Sequence, residues 1–205
     1  MALPKIKFAV GIAILFTQLF LYINAEAVYG PYASMVRNVM LAYFVLLAVF
    51  SPYVIKILMG IGPKDLPSFS IMFAMTAVIM LVVGGSIVLI TGEVEKGITL
   101  ALGFGFLHGF VKAFNEEVIF RGVLPMIMGG SVKASIYVDV ISSVAFGVFH
   151  LAVTGVNIYA MIFLSALGFV WAMVRNRFGI MGSTGSHFAY NLGVMGVLPV
   201  ILGGV

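Results

Sequence analysis

The stretch "FNEEVIFRGV", Phe114 to Val123, sets Glu116, Glu117 and Arg121 into a chain that otherwise has few charges, with Lys112 just before it. The 205 residues are 62% hydrophobic and 9% charged, where an average soluble domain is about 25% charged. A soluble core cannot use this much apolar surface, so lipid is the solvent for most of the chain. Ionisable side chains are costly there, and a group of them inside a hydrophobic run is by default a functional hypothesis.

Outward from this stretch, seven apolar runs of about twenty residues appear. They are Phe8–Ile23, Asn38–Met59, Phe69–Thr91, Ile98–Met128, Ser135–Val153, Val156–Val174 and Ile180–Leu202. The breaks between them carry turn or charge chemistry: "YGPYAS", "GIGPKDLPS", "TGEVEKG", "MGGSVK", "TG" and "RNRFG". Lipid offers backbone polar groups no partner, and β-barrel alternation is absent, so the runs read as helices. The expected fold is all-α, a polytopic transmembrane bundle of about seven helices. It forms a single integral membrane domain over residues 1–205, with a motif-bearing core at about 98–203. Lys5, Lys7 and the Ala25-Glu26-Ala27 triplet give the first run some signal-peptide character, but it is long enough to be a first helix.

The remaining charges bear on orientation and exclude some functions. Lys5, Lys7, Lys56, Lys64, Lys133, Arg175 and Arg177 fall on one side of a seven-helix chain, and only Arg37 and Lys96 on the other. The positive-inside rule then puts the N-terminus in the cytoplasm and the C-terminus outside. The net charge of +4 is scattered over segment ends, which excludes a nucleic-acid surface. There is no cysteine, so disulfides and thiolate chemistry are excluded. The glycines, including Gly105-x-x-x-Gly109, lack phosphate-loop spacing and read as helix-packing positions.

Within the later runs, the polar residues fall on helical stripes. Glu117 and Arg121 are four apart with the acid first, the favourable order for an ion pair. Glu116 is turned about 100° from Glu117, so one carboxylate can be neutralised locally while the other points elsewhere. His108, Lys112 and Glu116 share a drifting face; Asp139, Ser143, Phe146 and His150 form another stripe. His187 and Asn191 are one turn apart. Counted at roughly 1.5 Å per residue from cytoplasmic helix ends near Gly129, Ala134 and Phe178, Glu116, His150, His187 and Asn191 lie about 20, 24, 14 and 20 Å deep. Tilt covers that spread, so a shared mid-membrane site is expected. A carboxylate, histidines and an amide there suit amide hydrolysis, which needs an activated water and donors for the developing negative charge. Ser142, Ser143 and Ser186 lie in no nucleophile-elbow context.

"EEVIFR", "FGVFH" and "HFAYN", in this order, fit E-E-x-x-x-R, F-x-x-x-H and H-x-x-x-[ND]. The trio resembles the motifs of the CPBP family, also called Abi, which covers type II CAAX prenyl endopeptidases and bacteriocin-processing or immunity proteins. The resemblance spans roughly Leu107 to Gly196. It implies a glutamate-type intramembrane protease acting on a membrane-associated, lipidated or other peptide, without a cofactor. Glu116 would be the general base, and His150 would help to bind and activate water. His187 and Asn191 would stabilise the oxyanion, with Glu117, Arg121 and Phe146 supporting the site.

Plainer readings stand beside these. Lys112 could hold Glu116 in a simple ion pair, and His150 could be a helix-end histidine bonded to a carbonyl. His187 and Asn191 could be interhelical glue. His108 reads as a packing residue, and Asp139 as facing a vestibule or capping its helix. Two other function classes remain open: a zinc hydrolase with Glu116, His150 and His187 as ligands, and a non-enzymatic scaffold, immunity protein or proton-coupled transporter.

Overall fold

A proline and a glycine reshape the runs read from the sequence. The computed structural model describes residues 33–91, 104–129, 134–154 and 157–201, with Leu19, Tyr22 and Ile23 before them. The run Phe8–Ile23 apart from those three positions, the connection after Thr91 with Lys96, and most of "MGGSVK" lie outside the described residues. Among the described residues the regular structure is entirely helical, as expected. The helices are α1 (Ala33–Val49), α2 (Ser51–Gly60), α3 (Leu66–Thr91), α4 (Phe104–Glu116), α5 (Leu124–Gly129), α6 (Ile136–Thr154) and α7 (Ile158–Ile201).

The second expected run is not one straight helix. It breaks at Phe50, and α2 leaves α1 at 87°. Pro52 is the cause: it cannot donate to the carbonyl four residues back and its ring crowds that oxygen, yet it fits the first turn of a new helix, where it sits. Asp65 closes the following turn by accepting a hydrogen bond from the Gly62 N–H at 2.7 Å.

The fourth run is helical but changes pitch. Between α4 and α5, Glu117–Val123 form a π-helix, buried at every residue. The Leu124 N–H reaches back to the Ile119 carbonyl. Pro125 explains the widening. It cannot donate to the Arg121 carbonyl, and its ring crowds that oxygen, which the wider turn relieves. Gly122 lets this segment rest on α2, since a Cβ there would lie 2.5 Å from the end of Ile57.

The sixth and seventh runs join without a loop. Asn157 starts α7, its side-chain oxygen accepting from the N–H groups of Tyr159 and Ala160 at 3.0 and 3.1 Å. The helix continues through "RNRF" and kinks only at Gly179, with φ 76° and ψ 176°, a region essentially reserved for glycine. The kink is a hairpin corner. Trp171 and His187 are sixteen residues apart, about 24 Å along a straight helix, yet their rings stack with centroids 3.8 Å apart. Residues 158–178 and 180–201 are therefore two antiparallel legs. The first packs closely on α6, where Gly147 has no room for a Cβ beside Ser165 and Met161. The second packs on α3, where Gly185 lies against the Phe69 carbonyl and Gly193 against Met80. Small residues at such crossings let membrane helices approach closely.

By length and composition, one helical stretch among the described residues, Ile158–Gly193, which Gly179 folds into two legs, is long and apolar enough to cross a membrane, and the bent pair Arg37–Val49 with Ser51–Gly60 passes jointly. Leu66–Met80 and Ile136–Leu151 are shorter apolar helices, so the seven-span count is not reached. The outward faces are nonetheless apolar: Ile71, Met75, Val78 and Val82 on α3, Val140, Ile141, Val144 and Val148 on α6, and Ile162, Phe163 and Val170 on α7 are exposed.

Candidate active site

Glu116 ends α4 and is completely buried, and four helical segments bring polar groups to its carboxylate. The second leg of α7 supplies His187, whose Nε2 lies 3.2 Å from Glu116 Oε2. Helix α6 supplies His150, with Nε2 at 3.6 Å from Oε1. Lys112, one turn back on α4, is at 3.9 Å from Oε1. Helix α1 supplies Tyr43, whose hydroxyl donates a hydrogen bond to Oε1.

The two histidines are oriented by their other nitrogens. His150 Nδ1 lies 2.8 Å from the Phe146 carbonyl. A carbonyl only accepts, so Nδ1 carries a proton; with the ring in that tautomer, Nε2 is the nitrogen that faces Glu116. His187 Nδ1 lies 2.9 Å from Glu117 Oε1, which likewise places a proton on that nitrogen while the carboxylate is ionised. His187 therefore bridges the adjacent glutamates. Its ring is stacked on Trp171 and meets Phe146 edge-on, at centroid distances of 3.8 and 5.7 Å.

Glu117 and Arg121 face each other less closely than α-helical spacing suggests. Arg121 Nε is 3.7 Å from Glu117 Oε2, and none of the three Arg121 nitrogens has a hydrogen bond among the described residues. The π-turn that holds both residues moves them out of α-helical register. The guanidinium instead lies over Phe146, 4.4 Å from the ring centre, and its Nη2 fills the space that a Cβ on Gly168 would need. Phe146 is thus the common wall of the site, touching Arg121, His150 and His187.

Other expected residues sit apart from this cluster. Asn191 donates to the Gly109 carbonyl at 3.4 Å, about two turns along α4 from Glu116. The side chain of His108 lies outside the described residues. Asp139 neither caps its helix nor faces a vestibule. It binds Arg175, and Asn176 Nδ2 donates to its Oδ2 at 2.6 Å. Arg175, counted above as a loop charge, is accordingly buried inside α7. Ser142 and Ser143 donate to the Asp139 carbonyl, and Ser186 pairs with Thr76. Among the described residues, no three His, Asp or Glu side chains are grouped as metal ligands.

Sequence reasoning missed Tyr43 and Trp171. Trp171 is the only tryptophan in the chain, and its position well inside an apolar run, away from the interfacial belts where Trp usually sits, was a usable signal. Nothing in the sequence sets Tyr43 apart from the other tyrosines, because its partner is 73 residues away.

A helical domain that buries a carboxylate among histidines defines a class of site suited to hydrolysis. Residues 97–193 match the family described as type II CAAX prenyl endopeptidase Rce1-like, in keeping with the resemblance of the three motifs in that segment. The family is one of endopeptidases, hence hydrolases. The match contains Glu116, His150, His187 and Asn191, and excludes α1. Neither the curated proteins nor the solved structures include a match to the chain.

Proposed function

We propose that the chain is a multi-pass intramembrane endopeptidase that cleaves a membrane-associated peptide with water activated by Glu116. The observation that carries this reading is the approach of His150 Nε2 and His187 Nε2 to one fully buried carboxylate, at 3.6 and 3.2 Å. A water lodged between Glu116 and His150 meets two acceptors, the carboxylate and the neutral imidazole. It gives one hydrogen bond to each and keeps a lone pair for the scissile carbonyl. As its oxygen bonds to that carbon, a proton passes to Glu116 and the carbonyl oxygen becomes the oxyanion.

His187 is placed for the second half of the reaction. Its Nδ1–H is held by Glu117, and in its protonated form Nε2–H can donate to the oxyanion or to the departing amine. Asn191 is the further candidate donor. Its bond to Gly109 is long, so exchanging it for a charged acceptor costs little. Glu117, Arg121 and Phe146 then act as supports that fix the His187 ring.

The membrane placement rests on the exposed apolar faces and on the connections. Without Arg175, six basic residues (Lys5, Lys7, Lys56, Lys64, Lys133 and Arg177) still oppose Arg37 and Lys96, which puts the α2–α3 and α5–α6 connections in the cytoplasm. Tyr137 and Tyr159, strongly exposed at the starts of α6 and α7, fit the aromatic belts of the two interfaces. The two α7 legs supply the sixth and seventh spans. The substrate class follows the family description: a prenylated, or otherwise lipid-anchored, peptide tail.

The reading is tested with the purified chain in liposomes. A synthetic peptide ending in a farnesylated CAAX sequence is incubated in ¹⁸O-water beside its unprenylated counterpart. Cleavage with one ¹⁸O in the new carboxylate of the product is expected, faster for the farnesylated peptide. Failure to cleave either peptide would count against the proposed substrate class, and failure on a wider panel of membrane peptides against the protease itself.

A further inference from the structure

The contact from Tyr43 brings a helix outside the family-matched segment to the proposed base. A glutamate carboxylate has no strong torsional preference of its own, because its terminal torsion is broad and roughly two-fold. Its plane in the site is set by what binds it. On the Oε2 side stands His187, on the Oε1 side Tyr43, and both are buried. The Tyr43 ring is itself fixed. It lies in an apolar cluster with Ile119, Phe120, Phe146 and Trp171, and its centroid is 5.5 Å from that of Phe149. Of the groups around Glu116, the phenol is the neutral hydroxyl donor, and a carboxylate oxygen accepts from more than one donor.

We infer that Tyr43 is a positioning residue for the peptidase, which occupies one lone pair of Glu116 Oε1 and thereby leaves the other turned towards His150 and the attacking water. This rests on the reading of Glu116 as the base. Helix α1 then completes a site whose three motifs lie on later helices. It also gives the buried Tyr43 hydroxyl the partner that such a group requires. A purely structural tyrosine would need only its ring; here the hydroxyl acts through Glu116.

Tyr43→Phe keeps the ring and removes only the donor. Its effect can be read on Glu116 directly, by infrared pH titration of the carboxyl band in the full chain in detergent, with Glu116→Gln identifying which band belongs to Glu116. The other charged or titratable groups facing this carboxylate are Lys112 from α4, His150 from α6 and His187 from the second leg of α7. All are common to both proteins, so the difference isolates Tyr43. Losing a donor to the ionised form should move the Glu116 midpoint upward by about one to two pH units. On the farnesylated CAAX peptide, kcat should fall about 10- to 100-fold with KM nearly unchanged, and the acidic limb of the kcat profile should move the same way. A Glu116 band that titrates identically in wild type and Tyr43→Phe, or in neither, overturns the proposal whatever the peptide assay gives. Full cleavage by Glu116→Gln would instead remove the base from the mechanism, a failure distinct from that of Tyr43. Cleavage lost in Glu116→Gln but unchanged in Tyr43→Phe would overturn the positioning role alone.

Discussion

Two buried ionic clusters lie within this fold, and they are satisfied differently. Around Asp139, acid and base meet directly. Arg175 and Asn176 from the first leg of α7 each donate to one carboxylate oxygen, and the two serines of α6 take the Asp139 carbonyl. Around Glu116 and Glu117, two adjacent acids share one bridging histidine, and the Oε2 atom of each lacks a hydrogen bond among the described residues. Arg121, the cation nearest Glu117, rests on the Phe146 ring and donates no hydrogen bond there either. A carboxylate whose oxygens are both paired has little left to offer a ligand. One with a buried oxygen that accepts no hydrogen bond carries a desolvation cost, which natural proteins tolerate mainly at sites that are used. The first cluster ties α6 to α7; the second is where chemistry is expected.

Substitutions can sharpen or break this contrast. Asp139→Asn should have the largest effect on stability, because it leaves Arg175 buried without its counter-charge. Removing one partner of a buried pair costs about 3–5 kcal/mol in soluble proteins. The melting temperature in detergent should fall most for this variant, while cleavage per folded molecule stays near wild type. Loss of cleavage with unchanged melting would make Asp139 part of the reactive site.

Gly168→Ala comes next. The added methyl would lie 2.7 Å from Arg121 Nη2, an overpacking worth about 1–3 kcal/mol. Here both readouts should fall, since displacing Arg121 disturbs Phe146 and the histidines against it. Gly179→Ala imposes a backbone cost of a similar size, about 1–3 kcal/mol, but at a corner where a Cβ meets nothing within 4 Å. It should lower melting and leave the folded enzyme's rate intact. The smallest effect is expected from 1,10-phenanthroline, a chelator: cleavage should not change. Inhibition that added zinc restores would turn Glu116, His150 and His187 into metal ligands.

How much of this could be read from the sequence depends on the range of each interaction. The helical class, the later helices and the set of polar residues to examine were legible. Each follows from composition, periodicity or motifs spaced three or four residues apart. The break at Phe50 was also within reach, because Pro52 in an apolar run is a local signal. The partner of Asp139 was not, since Arg175 looked like a loop charge until the helix was seen to run on to Gly179. Nor was the π-turn, which loosens the Glu117–Arg121 pair that α-helical spacing had suggested. Tyr43 and the bridging role of His187 depend on which helices pack together, and one sequence does not contain that information.

The central claim is that Glu116 and Glu117, neighbours in sequence, have different tasks. It is tested most directly by making Glu116→Gln and Glu117→Gln separately and measuring, for each, melting in detergent and cleavage of the farnesylated peptide. Glu116→Gln should melt close to wild type and lose cleavage by about 10²–10⁴-fold, the usual contribution of a general base. Glu117→Gln loosens both Arg121 and His187, so it should lose stability first and activity in proportion. A folded, fully active Glu116→Gln beside a folded, inactive Glu117→Gln would contradict the account and move the base to the other carboxylate.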